Sequence, residues 1–311
     1  MIITDAHCDT ITKIMESGEN LEKNKCHVDI ERMQRVGGFV QFFAAFISPE
    51  YYRKSPMERA VGIINKLYSQ VEMYKDKIML CYNYNDIESA LFLRKVAAII
   101  SIEGGEALEG DISNLRMFYR MGVRSICLTW NHRNEIADGV GESNADRGLT
   151  AFGREVIKEM NSLGMLVDLA HISEKSFWDV MEYTDKPVIV SHSNAKKICP
   201  HKRNLTDEQI MAIKNNGGVI GINLYPWFLN KTGIASIKDV IMHIEHIASL
   251  TGEEHIGIGA DFDGIESTPE DIGGVEDIHK IIDELQKLNY PQTFIDKFAS
   301  GNFLRMLKLI K

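Results

Sequence analysis

An imidazole and a carboxylate two residues apart, His7 and Asp9, close the first apolar run of the chain, Ile2-Ile3-Thr4-Asp5-Ala6-His7-Cys8-Asp9. On an extended strand, residues two apart leave from the same face. The pair therefore presents a nitrogen and an oxygen donor together, which suits a divalent metal of zinc type. Cys8 faces the opposite way, toward packing, and is left out of the ligand set. Similar groups close later apolar runs: Glu103-Gly104-Gly105, Trp130-Asn131-His132-Arg133-Asn134, Asp168-Leu169-Ala170-His171, Ser191-His192-Ser193 and Asp261-Phe262-Asp263. Together they supply imidazoles from His7, His171 and His192 and oxygen donors from Asp9, Glu103 and Asp261. That set exceeds the three protein ligands one catalytic zinc takes, so two ions with a bridging carboxylate fit it. A carboxylate outside the set is then free to move a proton. Taken singly, each group has an ordinary structural reading: His171 as a core histidine, His192 or Glu103 as helix-start residues, Asp261 and Asp263 as turn carboxylates. Their joint position at strand ends favours the metal reading. Asp168, three residues before His171, is expected to orient a ligand histidine. His27, His201, His243, His246, His255 and His279 read as surface or packing residues.

The elements that must bring such distant groups together are eight short apolar runs, at residues 2–4, 39–46, 97–102, 124–129, 165–169, 188–190, 219–224 and 256–260. Amphipathic stretches separate them, at 57–75, 114–121, 153–163, 173–183, 206–215 and 237–251. Thr206-Asp207-Glu208-Gln209 has the spacing of a capping box, and Gly164 and Gly217 stand where helices should end. Strands alternating with helices predict parallel βαβ units and an α/β protein, a (β/α)8 TIM barrel forming one domain over residues 1–311. In that fold the C-terminal ends of all strands converge on one mouth. A doubly wound sheet is the alternative, but no glycine-rich dinucleotide fingerprint follows the first strand. Gly257-Ile258-Gly259 reads instead as a tightly packed strand.

The 311 residues are 44% hydrophobic and 25% charged, ordinary for a globular protein with a sizeable core. The net charge of −9, from 44 acidic and 35 basic residues, argues against a nucleic-acid partner. One basic cluster stands out, Lys196, Lys197, His201, Lys202 and Arg203. Five cysteines without a CxxC pair do not form a disulfide scaffold. There is no signal-peptide pattern and no apolar run near the ~18 residues of a membrane span. A cytoplasmic protein with no membrane partner is the expectation.

Read in order, seven blocks resemble the membrane (renal-type) dipeptidases, metallopeptidases on a (β/α)8 barrel. They are Asp5-Ala6-His7-Cys8-Asp9, Ile102-Glu103-Gly104-Gly105, Asp168-Leu169-Ala170-His171-Ile172-Ser173, Ser191-His192-Ser193-Asn194-Ala195, Arg203-Asn204-Leu205, Gly257-Ile258-Gly259-Ala260-Asp261-Phe262-Asp263-Gly264 and Gly301-Asn302-Phe303-Leu304-Arg305. The resemblance implies two Zn2+ per chain, one on His7 and Asp9, the other on His171 and His192, with Glu103 bridging. It implies that Arg203 engages the substrate carboxylate and that Asp261 relays a proton to the departing amine. A hydroxide held between the metals would attack the peptide bond of a dipeptide, with a D-residue tolerated at the C-terminal position. The family's substrate-binding histidine follows Leu-Thr; here Leu128-Thr129 precedes Trp130, and His132, two residues on, is assigned the substrate contact. A homodimer is the family expectation. The competing readings are another metal-dependent amidohydrolase, for a lactone, cyclic amide or phosphoester, and a binding barrel without catalysis.

Overall fold

The computed structural model describes residues 1–142 and 147–311. Its strands are β1 (Ile2–Cys8), β2 (Gly38–Phe46), β3 (Ile78–Leu80), β4 (Val96–Glu103), β5 (Val123–Cys127), β6 (Leu166–Asp168), β7 (Ile189–Ser193), β8 (Val219–Ile222) and β9 (Ile256–Ile258). All neighbours are parallel, in the order β2-β1-β9-β8-β7-β6-β5-β4, and β2 pairs again with β4. The sheet thus closes into the eight-stranded (β/α)8 barrel that the alternation predicts. The strand that the sequence reading passes over is β3. It pairs with β4 from Val96 to Ala98, on the edge that β5 occupies from Ile100 onward. Three residues are too few to show an alternation.

The expected helices form with ends within two residues of the predicted ones, at 56–73, 112–120, 151–163, 174–183, 207–216 and 237–251. Thr206 and Gln209 make the reciprocal capping box, and Gly164 and Gly217 end their helices with φ of 73° and 81°. Inside the barrel, Val40, Phe42, Ala97, Ile99, Leu166, Ile189 and Val219 share one apolar cluster with Phe303, Met306 and Leu307. The helix Asn302–Leu307 therefore closes the base and leaves the upper mouth for polar residues.

Two breaks in register decide which side chains reach that mouth. Asp5 pairs with Gln41 but Cys8 pairs with Phe43, so β1 carries one more residue than β2. Val190 pairs with Ile220 but Ser193 pairs with Ile222, so β7 carries one more than β8. Each extra residue reverses the strand's alternation. His7 and His192 both lie inside these bulges and turn inward.

The β7 bulge also thrusts the Ser191 carbonyl into the barrel. A Cβ on Gly259 would stand 1.8 Å from that oxygen, and one on Gly221 would stand 2.1 Å from it. Both residues must be glycine for the bulge to exist, which is the tight packing read from Gly257-Ile258-Gly259. We expect Gly259→Ala to lower stability by about 2 kcal/mol or more, as overpacking against backbone does. Gly62→Ala, on the helix Pro56–Met73 with nothing within 4 Å, should raise it by about 0.5–1 kcal/mol. Denaturant melts of both variants check the pair.

Candidate metal centre

The mouth of the barrel gathers the strand-end groups around one carboxylate. Glu103, last residue of β4, turns Oε2 toward His7 Nε2 at 3.3 Å and Oε1 toward His171 Nε2 at 2.9 Å and His192 Nε2 at 3.6 Å. Asp9 Oδ2 lies 3.3 Å from His7 Nε2, and Asp261 Oδ1 lies 3.8 Å from it. All six residues are buried. They fall into three overlapping donor groups, His7–Asp9–Glu103, Glu103–His171–His192 and His7–His192–Asp261, each with its donor atoms within 4.8 Å of one another.

This arrangement is poor chemistry unless cations join it. His171 Nδ1 donates to Asn131 Oδ1 at 3.0 Å, which leaves a bare lone pair on Nε2. That lone pair faces His192 Nε2 at 2.9 Å. Burial, aided by the Arg203 charge, lowers His171 to about 4; burial and the neighbouring His7 hold His192 well below its ordinary value. Both are therefore neutral at pH 7, as metal-ligating imidazoles must be. Burial works against a charged His7, yet the Glu103 and Asp9 carboxylates raise it well above its usual range. Burial raises Asp9 to about 6 and Asp261 to about 8, with the Glu103 charge adding to both. Asp9 Oδ1 is buried without a hydrogen-bond partner. Closely facing imidazole nitrogens, crowded carboxylates and an orphaned oxygen are what divalent cations would relieve.

Backbone geometry aims the ligands. Asp5, on the outer face of β1, accepts from Ala260 N at 2.8 Å and His7 N at 3.4 Å with Oδ1, and from Gln41 Nε2 at 3.1 Å with Oδ2. It thereby satisfies an amide in the β1 bulge. Asp168 does the same for β7, accepting from Ser191 N at 2.9 Å and Ala170 N at 3.0 Å. It was expected to orient a histidine ring; it fixes the backbone that carries both His171 and His192 instead. Ser191 Oγ lies 2.8 Å from His192 Nδ1. His171, Asp261 and Asp263 all hold the left-handed backbone, φ 64°, 61° and 69°, a conformation L-residues keep only where the surroundings enforce it. Gly264 completes the turn, because a Cβ there would stand 2.2 Å from Asp9 Oδ2 and 2.5 Å from Asp261 Oδ1.

A cavity of about 320 Å³ opens over the centre, walled by Asp9, Glu103, Asp261, His171, Phe46 and Trp130. A smaller one of about 100 Å³ lies on the other side of His171 and holds Arg203. Arg203 is buried; its Nη2 donates to the His192 carbonyl at 3.3 Å, its guanidinium sits 5.5 Å over the Phe228 ring, and its Nε has no partner. His132 does not join the group. Its side chain is 54% exposed and lies 3.7 Å from the Glu142 carboxylate, while Trp130 takes the cavity wall with its ring 6.0 Å from His171. The two-residue step that should have aimed His132 inward fails because β5 ends at Cys127 and the chain beyond it is loop. Asn223 is a contributor that the strand-end reading did not name, and Trp130 and Asn131 stand in its β5 block without a role assigned to them. Asn223 donates to Asp261 Oδ2 at 2.8 Å and could have been found by extending the same search for groups closing β8.

The sequence profile described as membrane dipeptidase matches residues 1–311. The chain belongs to the membrane dipeptidase family. It is 37% identical over 241 residues to an uncharacterized protein of the pqqA 5' region of Klebsiella pneumoniae, covering 75% of this chain and 89% of that one. It is 34% identical over 304 residues to an uncharacterized dipeptidase of Schizosaccharomyces pombe, covering 91% and 72%. Among solved structures it is similar to a metallo peptidase from Rhodobacter sphaeroides liganded with a phosphinate mimic of the dipeptide L-Ala-D-Ala. That match has a TM-score of 0.92 at 25% identity and covers 100% of this chain and 99% of the other. A membrane dipeptidase by family, this chain has among its described residues no helix long and apolar enough to cross a membrane.

One histidine read as packing has a definite task. His243, buried on the helix Ile237–Thr251, accepts from Ala195 N at 3.0 Å and donates to the Leu229 carbonyl at 3.0 Å. Burial lowers its pKa to about 4. An unfolded imidazole takes a proton near its ordinary 6.5, whereas the folded one resists to about 4. Acidification across that window therefore makes this group favour the unfolded state, and its own contribution to stability rises with pH between those limits. His243→Asn should remove this contribution, so that stability gains less with rising pH than in the wild type, as read by urea melts at about pH 4.5, 5.5 and 7.

Proposed function

We propose that the protein is a binuclear zinc dipeptidase whose two ions share Glu103. The shared carboxylate carries the reading, because its two oxygens face two separate sets of imidazoles. His7 and Asp9 would hold one Zn2+, and His171 and His192 the other. When bound, such ions would supply Lewis acidity and lower the pKa of a bound water.

The chain's own residues do the rest. Arg203, buried and with Nε unpaired, binds the C-terminal carboxylate of the substrate through its planar fork. Because that cation is buried in a cavity of about 100 Å³, one residue fits beyond the scissile bond, and this supports a dipeptide as substrate. Asp261 keeps Oδ2 on Asn223 and presents Oδ1 toward the centre, so one oxygen is free to hold a proton for the leaving amine. Trp130 and Phe46, with rings 5.5 Å apart, exclude water from the wall over the N-terminal residue. The solved relative's L-Ala-D-Ala mimic supports tolerance of a D-residue at the C-terminal position. Five free cysteines, four of them buried, support a reducing compartment such as the cytoplasm.

Glu103→Ala should lose zinc below two per chain by elemental analysis and lower kcat/KM for dipeptides more than about 100-fold. Full retention of both would refute the bridging role. Arg203→Ala should raise KM for dipeptides, and an unchanged KM and kcat would remove it from substrate binding. A panel of L-L, L-D and D-D dipeptides with and without added zinc reads the stereochemistry.

A further inference from the structure

The dipeptidase reading uses one member of the basic cluster, Arg203, and leaves the others without a task. His201 is accounted for locally: its ring packs 4.5 Å from Phe228 and its Nδ1 accepts from Arg203 N at 3.2 Å. Lys196 and Lys202 are not. Both line the cavity of about 100 Å³ that Arg203 and His171 share, where Glu174 is the only carboxylate among the described residues. No ion pair or side-chain hydrogen bond engages either ammonium among the described residues.

The stretch that carries these cations is anchored throughout. Lys196 N donates to the Leu205 carbonyl and Leu205 N to the Asn194 carbonyl, both at 2.8 Å. Asn204 Nδ2, in the buried side chain, donates to the carbonyls of Cys199 at 2.8 Å and Phe228 at 2.7 Å. Ser193 Oγ donates to the Arg203 carbonyl at 2.8 Å, and His243 holds Ala195 N. Three cations are thus presented from a fixed backbone around a space sized for one short side chain, with one carboxylate among the described residues to offset them. Such an excess is complementary to a ligand bearing two negative charges, and a fixed backbone lowers the ordering cost of binding it.

We infer that this cavity selects dipeptides whose C-terminal residue has an acidic side chain, Lys196 and Lys202 binding the side-chain carboxylate while Arg203 binds the α-carboxylate. The inference rests on the placement of Arg203 in the dipeptidase reading. The amide isosteres aspargine and glutamine keep the shape and lack the charge, so they isolate the electrostatic contribution.

The test is kcat/KM of the zinc-loaded enzyme for Ala-Asp against Ala-Asn and for Ala-Glu against Ala-Gln, with each enantiomer at the second position. The wild type should favour the acid over its amide by about 10-fold or more at low ionic strength, with the ratio falling as salt is added. The Lys196→Met/Lys202→Met double variant, which keeps apolar stems, should bring that ratio close to one. Lys202→Glu should shift preference toward Ala-Lys. An acid-to-amide ratio near one in the wild type, or a ratio unchanged in the double variant, overturns the inference while leaving the dipeptidase reading standing. Failure to hydrolyse any dipeptide overturns the dipeptidase reading itself.

Discussion

Everything at the barrel mouth depends on the Glu103 carboxylate being reached from two sides by imidazole nitrogens. Regular strands cannot arrange this unaided. In a barrel of uninterrupted alternation, the residues facing inward on β1 would be Thr4 and Ala6, and on β7 Ile189 and Ser191. One extra residue in each strand turns His7 and His192 inward. The cost is exposed amide groups and a carbonyl in the barrel lumen, offset by Asp5, Asp168 and the bare α-carbons of Gly221 and Gly259. The centre is therefore a property of two irregular strands and of the residues that permit them, as much as of its ligands.

Much of this was legible in the sequence because barrel topology makes position along a strand informative. Eight apolar runs, their helical spacers and the polar groups that close them were enough to place His7, Asp9, Glu103, His171, His192 and Asp261 together. Parity even excluded Cys8, which the structure puts among the outer apolar residues. What escaped depends on geometry that spacing does not encode. His132 illustrates the limit: alternation predicts direction only while the strand continues, and β5 has ended before that residue. Asp168 carries the opposite lesson. A carboxylate near a histidine suggested a ring contact, but the amide groups of a bulge made the stronger claim on it.

The same economy extends to the wall beside the centre. The segment from Ser193 to Leu205 has few regular hydrogen bonds, yet Ser193, Asn194, Asn204 and His243 stitch it to β7, to Asn223 beyond β8, to the helix Pro226–Leu229 and to the helix Ile237–Thr251. Polar residues that read as ordinary loop composition thus act as fixed struts. They let a loop hold charges with the positional accuracy usually expected of strands and helices.

The helix Asn302–Leu307, which plugs the base, bears on how the chain can be made. β1 lies between β2 and β9, and the apolar lumen beneath the buried His, Asp and Glu groups is sealed by Phe303, Met306 and Leu307. During synthesis the first strand therefore waits, with one edge unpaired and its inner face open to water, until nearly the whole chain has emerged. The donor group His7–His192–Asp261 cannot be assembled early, since His7 and Asp261 meet only when β9 docks. A nascent chain that lacks the helix Asn302–Leu307 would expose a sticky apolar lumen to other unfinished chains.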